Sequence, residues 1–174
     1  MVSYLITGAS RGLGLEYTRQ LLASSAEIKI VATARTPSTA TELQKIKEFN
    51  EGRLYILEMD VTNDESVKAA AATLEASGFL TNGLDILVNN AGVSSGPVST
   101  VPSQSSIANL DVDIQTNLYG VVRSTLAFLP LLQRGEKKQI ITVSTTVGSF
   151  DNFMASMPVY PLCECSSDYS RLGS

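Results

Sequence analysis

Eight residues near the start of the chain, Thr7-Gly8-Ala9-Ser10-Arg11-Gly12-Leu13-Gly14, restrict its fold more than any other stretch. They follow Val2-Ser3-Tyr4-Leu5-Ile6, an apolar run that reads as a buried strand beginning almost at the first residue. They lead into residues 13–22, where Leu13, Tyr17 and Leu21 recur at intervals of four and Leu15 and Leu22 lie seven apart, the spacing of a helix. Strand, glycine turn and helix in that order gather backbone N–H groups and the positive end of a helix dipole at one point. That point is an anion site suited to the pyrophosphate of a dinucleotide. The glycines predict a tight turn, close approach to phosphate and close packing of helix on strand. Their spacing is G-x-x-x-G-x-G rather than the common G-x-G-x-x-G. A tight turn without a ligand is the other reading of this stretch alone.

The rest of the chain repeats the same rhythm. The β-branched run at 28–34 predicts a second strand, ending at Arg35. In a dinucleotide fold an acidic residue there would bond the adenosine ribose 2′-OH; a guanidinium suits the 2′-phosphate of NADP instead. Arg11, inside the glycine turn, is near enough in sequence to serve the same phosphate, and simple solvation is the alternative for both arginines. A helix is predicted at 39–49 with Leu43 and Ile46 inward, then a strand at 54–59 closed by Asp60-Val61-Thr62. Asp60 either bonds an adenine amino group or forms a turn. A helix at 64–77 and a strand at 84–88 follow, the strand running into Asn89-Asn90-Ala91-Gly92. One long helix is predicted over 105–133, with Leu110, Ile114, Leu118, Val121 and Val122 as its apolar stripe and Asn117 inside that stripe. A fifth strand is expected at 139–144. Strands alternating with helices at this spacing give βαβ units, a parallel sheet and right-handed crossovers.

Bulk properties exclude several functions. The 174 residues suffice for one domain with a real core and are too few for two ordinary ones. A formal charge of −4 argues against nucleic acid as a partner, so any anion site is local. No apolar run has membrane-spanning length and the first strand starts too early for a cleavable signal, which makes the cytosol the expected compartment. Cys163 and Cys165 are too few for a thiolate metal site, so no metal is expected. The chain has no histidine, which removes Ser-His-Asp hydrolysis.

Thr7-Gly8-x-x-x-Gly12-x-Gly14, Asp60-Val61, Asn89-Asn90-Ala91-Gly92, Asn117 and Ser144-Thr145-Thr146-Val147-Gly148 together resemble the short-chain dehydrogenase/reductase family, over residues 2–160. The phrasing is similar to the carbonyl reductases and ketoreductases of its NADP-preferring branch. The resemblance implies an α/β fold, a three-layer doubly wound parallel sheet of the Rossmann type over 1–160, with an atypical tail at 161–174. It implies hydride transfer between NADP(H) and the carbonyl or alcohol of a small molecule. Carried over by residue, Thr7, Gly8, Arg11, Gly12, Leu13, Gly14, Arg35, Asp60, Val61, Asn89, Ala91 and Gly92 hold cofactor. Tyr160 is the general acid and Asn117 supports the proton relay. The hydroxyl that polarises the carbonyl falls on Thr145 or on Ser144 beside it; adjacent strand residues face opposite sides, so only one of the two should point at substrate. The family also pairs subunits through its fourth and fifth helices; with the fifth compromised here, the resemblance implies at most a homodimer weakened by the missing C-terminal part.

The match departs from the family pattern after Tyr160. The family's Tyr-x-x-x-Lys reads Tyr160-Pro161-Leu162-Cys163-Glu164. Four residues on, a side chain shares the tyrosine's helix face. A glutamate there repels phenolate and should raise the tyrosine's pKa where a lysine would lower it. Beyond Pro161 the apolar periodicity of the family's next helix is absent, and its remaining strands and substrate segment are not expected. A catalytically silent NADP-binding module and a truncated fragment are the alternatives that follow.

Overall fold

A computed structural model describes residues 1–95 and 106–145. Five parallel strands, β1 (Val2–Ile6), β2 (Ile28–Ala34), β3 (Leu54–Glu58), β4 (Ile86–Asn89) and β5 (Gln139–Thr142), lie in the order β3-β2-β1-β4-β5. Between them run α1 (Gly12–Ser24), α2 (Thr41–Glu48), α3 (Asp64–Ala76), α4 (Ile107–Asp113) and α5 (Gly120–Arg134). β2 and β4 are apolar runs covered on both sheet faces, whereas β5 at the sheet edge is largely exposed; alternation along each strand decides which face a residue serves. Leu5, Val31, Leu57 and Leu87 pack with Val67, Ala70 and Leu74 of α3 and Phe128, Leu131 and Leu132 of α5. Ile6, Ile30, Ala32, Ile86 and Val88 point the other way, onto Leu22 of α1 and Leu43 of α2. This is the three-layer doubly wound sheet that the alternating pattern implies.

Strand order reverses beside β1: β2 and β3 build outward on one side, β4 and β5 on the other. The strands finish nearly level, with Ile6 paired to both Ala32 and Val88, Ala34 to Glu58 and Asn89 to Thr142. The turns after them therefore open on one crevice at the switch point, where open α/β sheets bind ligands.

Asp85 fastens the opposite end. Its carboxylate accepts from the Ser3 N–H at 2.8 Å, the Ser3 hydroxyl at 3.0 Å, the Glu136 N–H at 2.9 Å and the Lys137 N–H at 3.2 Å. One buried side chain thus joins the start of β1, the approach to β4 and the turn entering β5. Burial pushes this carboxyl's pKa up, but the N–H groups of Ser3, Lys137 and Glu136 and the Ser3 hydroxyl outweigh it, and the net shift is down.

Three expectations need correction. The single helix over 105–133 is α4, a π-helical turn at Ile114–Tyr119, and α5. Of the expected stripe only Val121 is fully buried; the inward side carries Asp113, Thr116, Asn117 and Ser124 beside Phe128, Leu131 and Leu132. A fixed rotation per residue cannot find that face, because a π turn holds more residues and shifts the phase. Leu13, expected to hold cofactor, is 58% exposed and lines the crevice. The strand expected at 139–144 ends at Thr142, and that expected at 84–88 is Ile86–Asn89.

The folded Asp85 carboxyl releases its proton at lower pH than the unfolded chain does. Its stabilisation is therefore complete above about pH 4 and is lost as pH falls below that. Asp85→Ala should cost roughly 2–3 kcal/mol at pH 7 and flatten the acid limb of the stability profile. Urea denaturation at pH 7 and pH 3 measures both; equal stability of variant and wild type at pH 7 would contradict the role.

Candidate active site

The crevice is made by zipping two turns together. Thr7, buried at the end of β1, accepts the N–H groups of Asn90 and Ala91 on its hydroxyl oxygen, each at 3.0 Å. In return the Asn90 side-chain amide donates to the carbonyls of Thr7 at 2.9 Å and Gly8 at 3.3 Å. Such close approach leaves no room for a side chain. A Cβ on Gly8 would lie 2.9 Å from Ala91 Cα, and one on Gly14 would lie 2.5 Å from the Asn90 amide nitrogen. Gly8 also sits at φ +67°, in the left-handed region that glycine favours. With the turns locked, the first residues of α1 face the crevice.

One part of the crevice is lined by the glycine turn with Arg11 and Leu13, by Arg35 after β2, by residues 59–62 after β3, and by Ala91, Gly92 and Thr116. Arg11 and Arg35 are both exposed there, and neither forms an ion pair among the described residues. Of its two expected readings, Asp60 shows the turn, and it also lines the crevice. Its Oδ1 accepts from the Thr62 N–H at 2.9 Å and hydroxyl at 2.7 Å, a turn, while the residue itself forms crevice wall. Val61 stands beside it, buried.

The second part adjoins Leu13 and residues 89–92 and is lined further by Asn117, Val121 and residues 142–145. Ser144 and Thr145 both line it. β5 ends at Thr142, so the two-residue alternation of a strand no longer governs them. The Asn117 amide is committed to Val93, accepting its N–H at 2.9 Å and donating to its carbonyl at 2.8 Å. This answers how an amide is tolerated in a packed helix, and it fixes the crevice loop. Asn89 donates to the Thr125 hydroxyl at 3.2 Å, while its buried Oδ1 has no partner among the described residues. Tyr160 and Glu164 lie outside the described residues.

The structure therefore gathers most of the expected residues, though in two ranks. Gly8, Arg11, Gly12, Leu13, Arg35, Asp60, Val61, Ala91 and Gly92 form wall, whereas Thr7 and Gly14 act behind it. Asn90, Val93 and Thr116 were not singled out as site residues. Asn90 had a signal, the doubled asparagine after an apolar strand; Thr116 was hidden by the assumed straight helix. Among the described residues no group of His, Cys, Asp or Glu is arranged to hold a metal ion, and no helix is long and apolar enough to cross a membrane.

The family model described as short chain dehydrogenase matches residues 3–161. The chain belongs to the short-chain dehydrogenase family. Among its relatives in that family, the short chain dehydrogenase gsfK of Penicillium aethiopicum is 30% identical over 158 residues, covering 89% of this chain and 61% of its own. The NADP-dependent 3-hydroxy acid dehydrogenase YdfG of Escherichia coli is 34% identical over 146 residues, covering 84% of this chain and 55% of its own. Among solved structures, an NADPH-bound carbonyl reductase from chicken fatty liver superposes with a TM-score of 0.85 at 30% identity, covering 94% of this chain and 69% of that one. The carbonyl reductase Sniffer of D. melanogaster gives 0.84 at 29% identity, covering 95% and 71%. The chain thus spans about three fifths of the length of the curated relatives it matches. Short-chain dehydrogenases are nicotinamide-dependent hydride-transfer oxidoreductases, and the crevice just described is where this chain carries the family's motifs.

Thr7→Val keeps shape but leaves the Asn90 and Ala91 N–H groups unpaired. It should cost roughly 2–4 kcal/mol in urea denaturation, whereas Thr7→Ser should stay within about 1 kcal/mol of wild type. A tolerated valine would show that the two turns do not depend on this hydroxyl.

Proposed function

We propose that this chain is an NADP(H)-dependent short-chain oxidoreductase whose substrate is the carbonyl or alcohol of a small molecule. The observation that carries the reading is Arg35. It follows β2 where a ribose-binding carboxylate would otherwise stand, lines the crevice with Arg11, and shares that wall with Asp60. Two guanidiniums without ion pairs among the described residues, beside a backbone N–H cradle, suit a 2′-phosphate better than a bare hydroxyl. The NADPH-bound chicken carbonyl reductase and the NADP-dependent Escherichia coli enzyme are consistent with it.

The residues present fit a dinucleotide. Gly8 and Gly14 keep the turn free of side chains, and the start of α1, with no acidic residue in its first turn, is favourable to pyrophosphate. Asp60 and Val61 would border the adenosine, and Asn89, Ala91 and Gly92 the nicotinamide half. When bound, the cofactor supplies or accepts a hydride. This chain's own residues do the rest. The hydroxyl of Ser144 or Thr145 donates to the substrate carbonyl oxygen and draws electron density from its carbon. Tyr160 delivers the proton to that oxygen in reduction and removes it in oxidation. Asn117, through its grip on Val93, keeps the loop beneath the nicotinamide half in register.

A second reading, a module that binds NADP without turnover, is favoured by Glu164, which stands where the family has lysine. Like-charge repulsion there disfavours tyrosinate. NADPH oxidation with a panel of aldehydes and ketones separates the two readings: turnover by the wild-type chain supports the enzyme. No turnover by wild type but turnover by Glu164→Lys supports the silent module.

Cofactor choice is tested at Arg35. Arg35→Ala should weaken NADPH about 10- to 100-fold while leaving NADH affinity within about twofold, read by fluorescence titration. Equal loss for both cofactors, or none, would refute 2′-phosphate recognition by this residue.

A further inference from the structure

Arg123 makes the least surface-like charged contact in the described chain. It is 20% exposed, whereas the basic partners of the other four ion pairs among the described residues are 48% to 70% exposed. Its Nε donates to Asp64 Oδ1 at 2.6 Å. One terminal nitrogen donates to the Gln115 backbone carbonyl at 3.3 Å and the other to the Gln115 side-chain oxygen at 2.9 Å. The guanidinium also lies over the Tyr119 ring, 5.6 Å from its centre. Gln115 and Tyr119 both belong to the π turn.

That turn is a junction. On its inward side Thr116 forms crevice wall, Asn117 grips Val93, and Asp113, just before it, accepts the Ser95 N–H at 2.9 Å. Asp64 opens α3 directly after the 60–62 wall. Gly120, just past the turn, is packed so closely on Val61 that a Cβ would lie 3.0 Å from its methyl. A π turn is a local excess of residues in the helix, and its relapse to α geometry would swing one flank by about 100° per residue shifted. Only a rigid fork that meets a carboxylate, a carbonyl and an amide oxygen together can hold the turn and α3 in one relation; lysine cannot.

We propose that Arg123 is a positioning residue for the cofactor crevice. From outside, it locks the π turn to the start of α3, and so keeps Asn117 on Val93 and the two opposing walls at their spacing. The link to cofactor rests on the NADP(H) reading above; the link to Val93 does not.

The test is amide hydrogen exchange of the cofactor-free chain, followed by NADPH titration, for wild type, Arg123→Met and Arg123→Lys. The lysine variant keeps the charge and an ion pair to Asp64, and serves if the methionine variant does not fold. Exchange at Val93 and within 114–119 should quicken about tenfold or more, with the β2 amides unchanged, and NADPH affinity should fall about tenfold in both variants. Unchanged exchange at Val93 would overturn the proposal, as would equal quickening in β2, which marks general destabilisation. Fast exchange at Val93 with wild-type NADPH affinity would overturn its link to the crevice. If the wild-type chain takes up no NADPH, the cofactor reading fails, and exchange at Val93 alone decides the role of Arg123.

Discussion

The structure depends on one reciprocal contact, between the end of β1 and the turn after β4. Neighbouring parallel strands leave their carboxyl ends as separate loops, each with N–H groups that need partners. Here the Thr7 hydroxyl takes two of them, and the Asn90 amide returns two bonds to the carbonyls of the glycine turn. The exchange is partly buried around the buried Thr7 hydroxyl, so each bond lost would leave a group poorly placed to find water. Gly8 and Gly14 follow from the contact, because no side chain fits between surfaces this close. The shape of the crevice between these turns derives from it.

The rest of the sheet is arranged to leave that end free. Apolar side chains fill both faces, and polar chemistry is confined to the two ends of the strands. At the far end Asp85 satisfies N–H groups from β1 and from the turn into β5. At the crevice end the side chains of Thr7, Asn90 and Asn117 bond backbone groups of neighbouring loops and so shape walls. The exposed groups that remain, chiefly Arg11 and Arg35, are thereby left for a ligand. Membership of the short-chain dehydrogenase family accords with this division between a rigid sheet and a crevice built from its turns.

Much of this was legible in residue order. Strands alternating with helices at regular spacing gave five strands and their parallel pairing. The glycine turn and Arg35 could be read because their chemistry is local: a conformation, a missing carboxylate. Features that depend on distant partners could not. Nothing near Thr7 announces that its hydroxyl serves residues eighty positions away. The π turn escaped because a template of constant pitch cannot register one extra residue, and so Leu110, Ile114 and Leu118, expected at the centre of the buried stripe, are only half-buried. Ser144 and Thr145 were separated by a strand rule that stops applying at Thr142. Tyr160, the proposed proton donor, and Glu164 lie outside the described residues.

The central claim is that the joined turns form a dinucleotide crevice. Backbone amide NMR of the chain with and without NADP⁺ tests it most directly, since it reports location as well as binding. Shifts confined to residues 8–13, 60–62 and 91–93, with Arg35, are expected, and none around Asp85. Binding that moves amides elsewhere, or an unaltered spectrum at millimolar NADP⁺ from a folded chain, would contradict it.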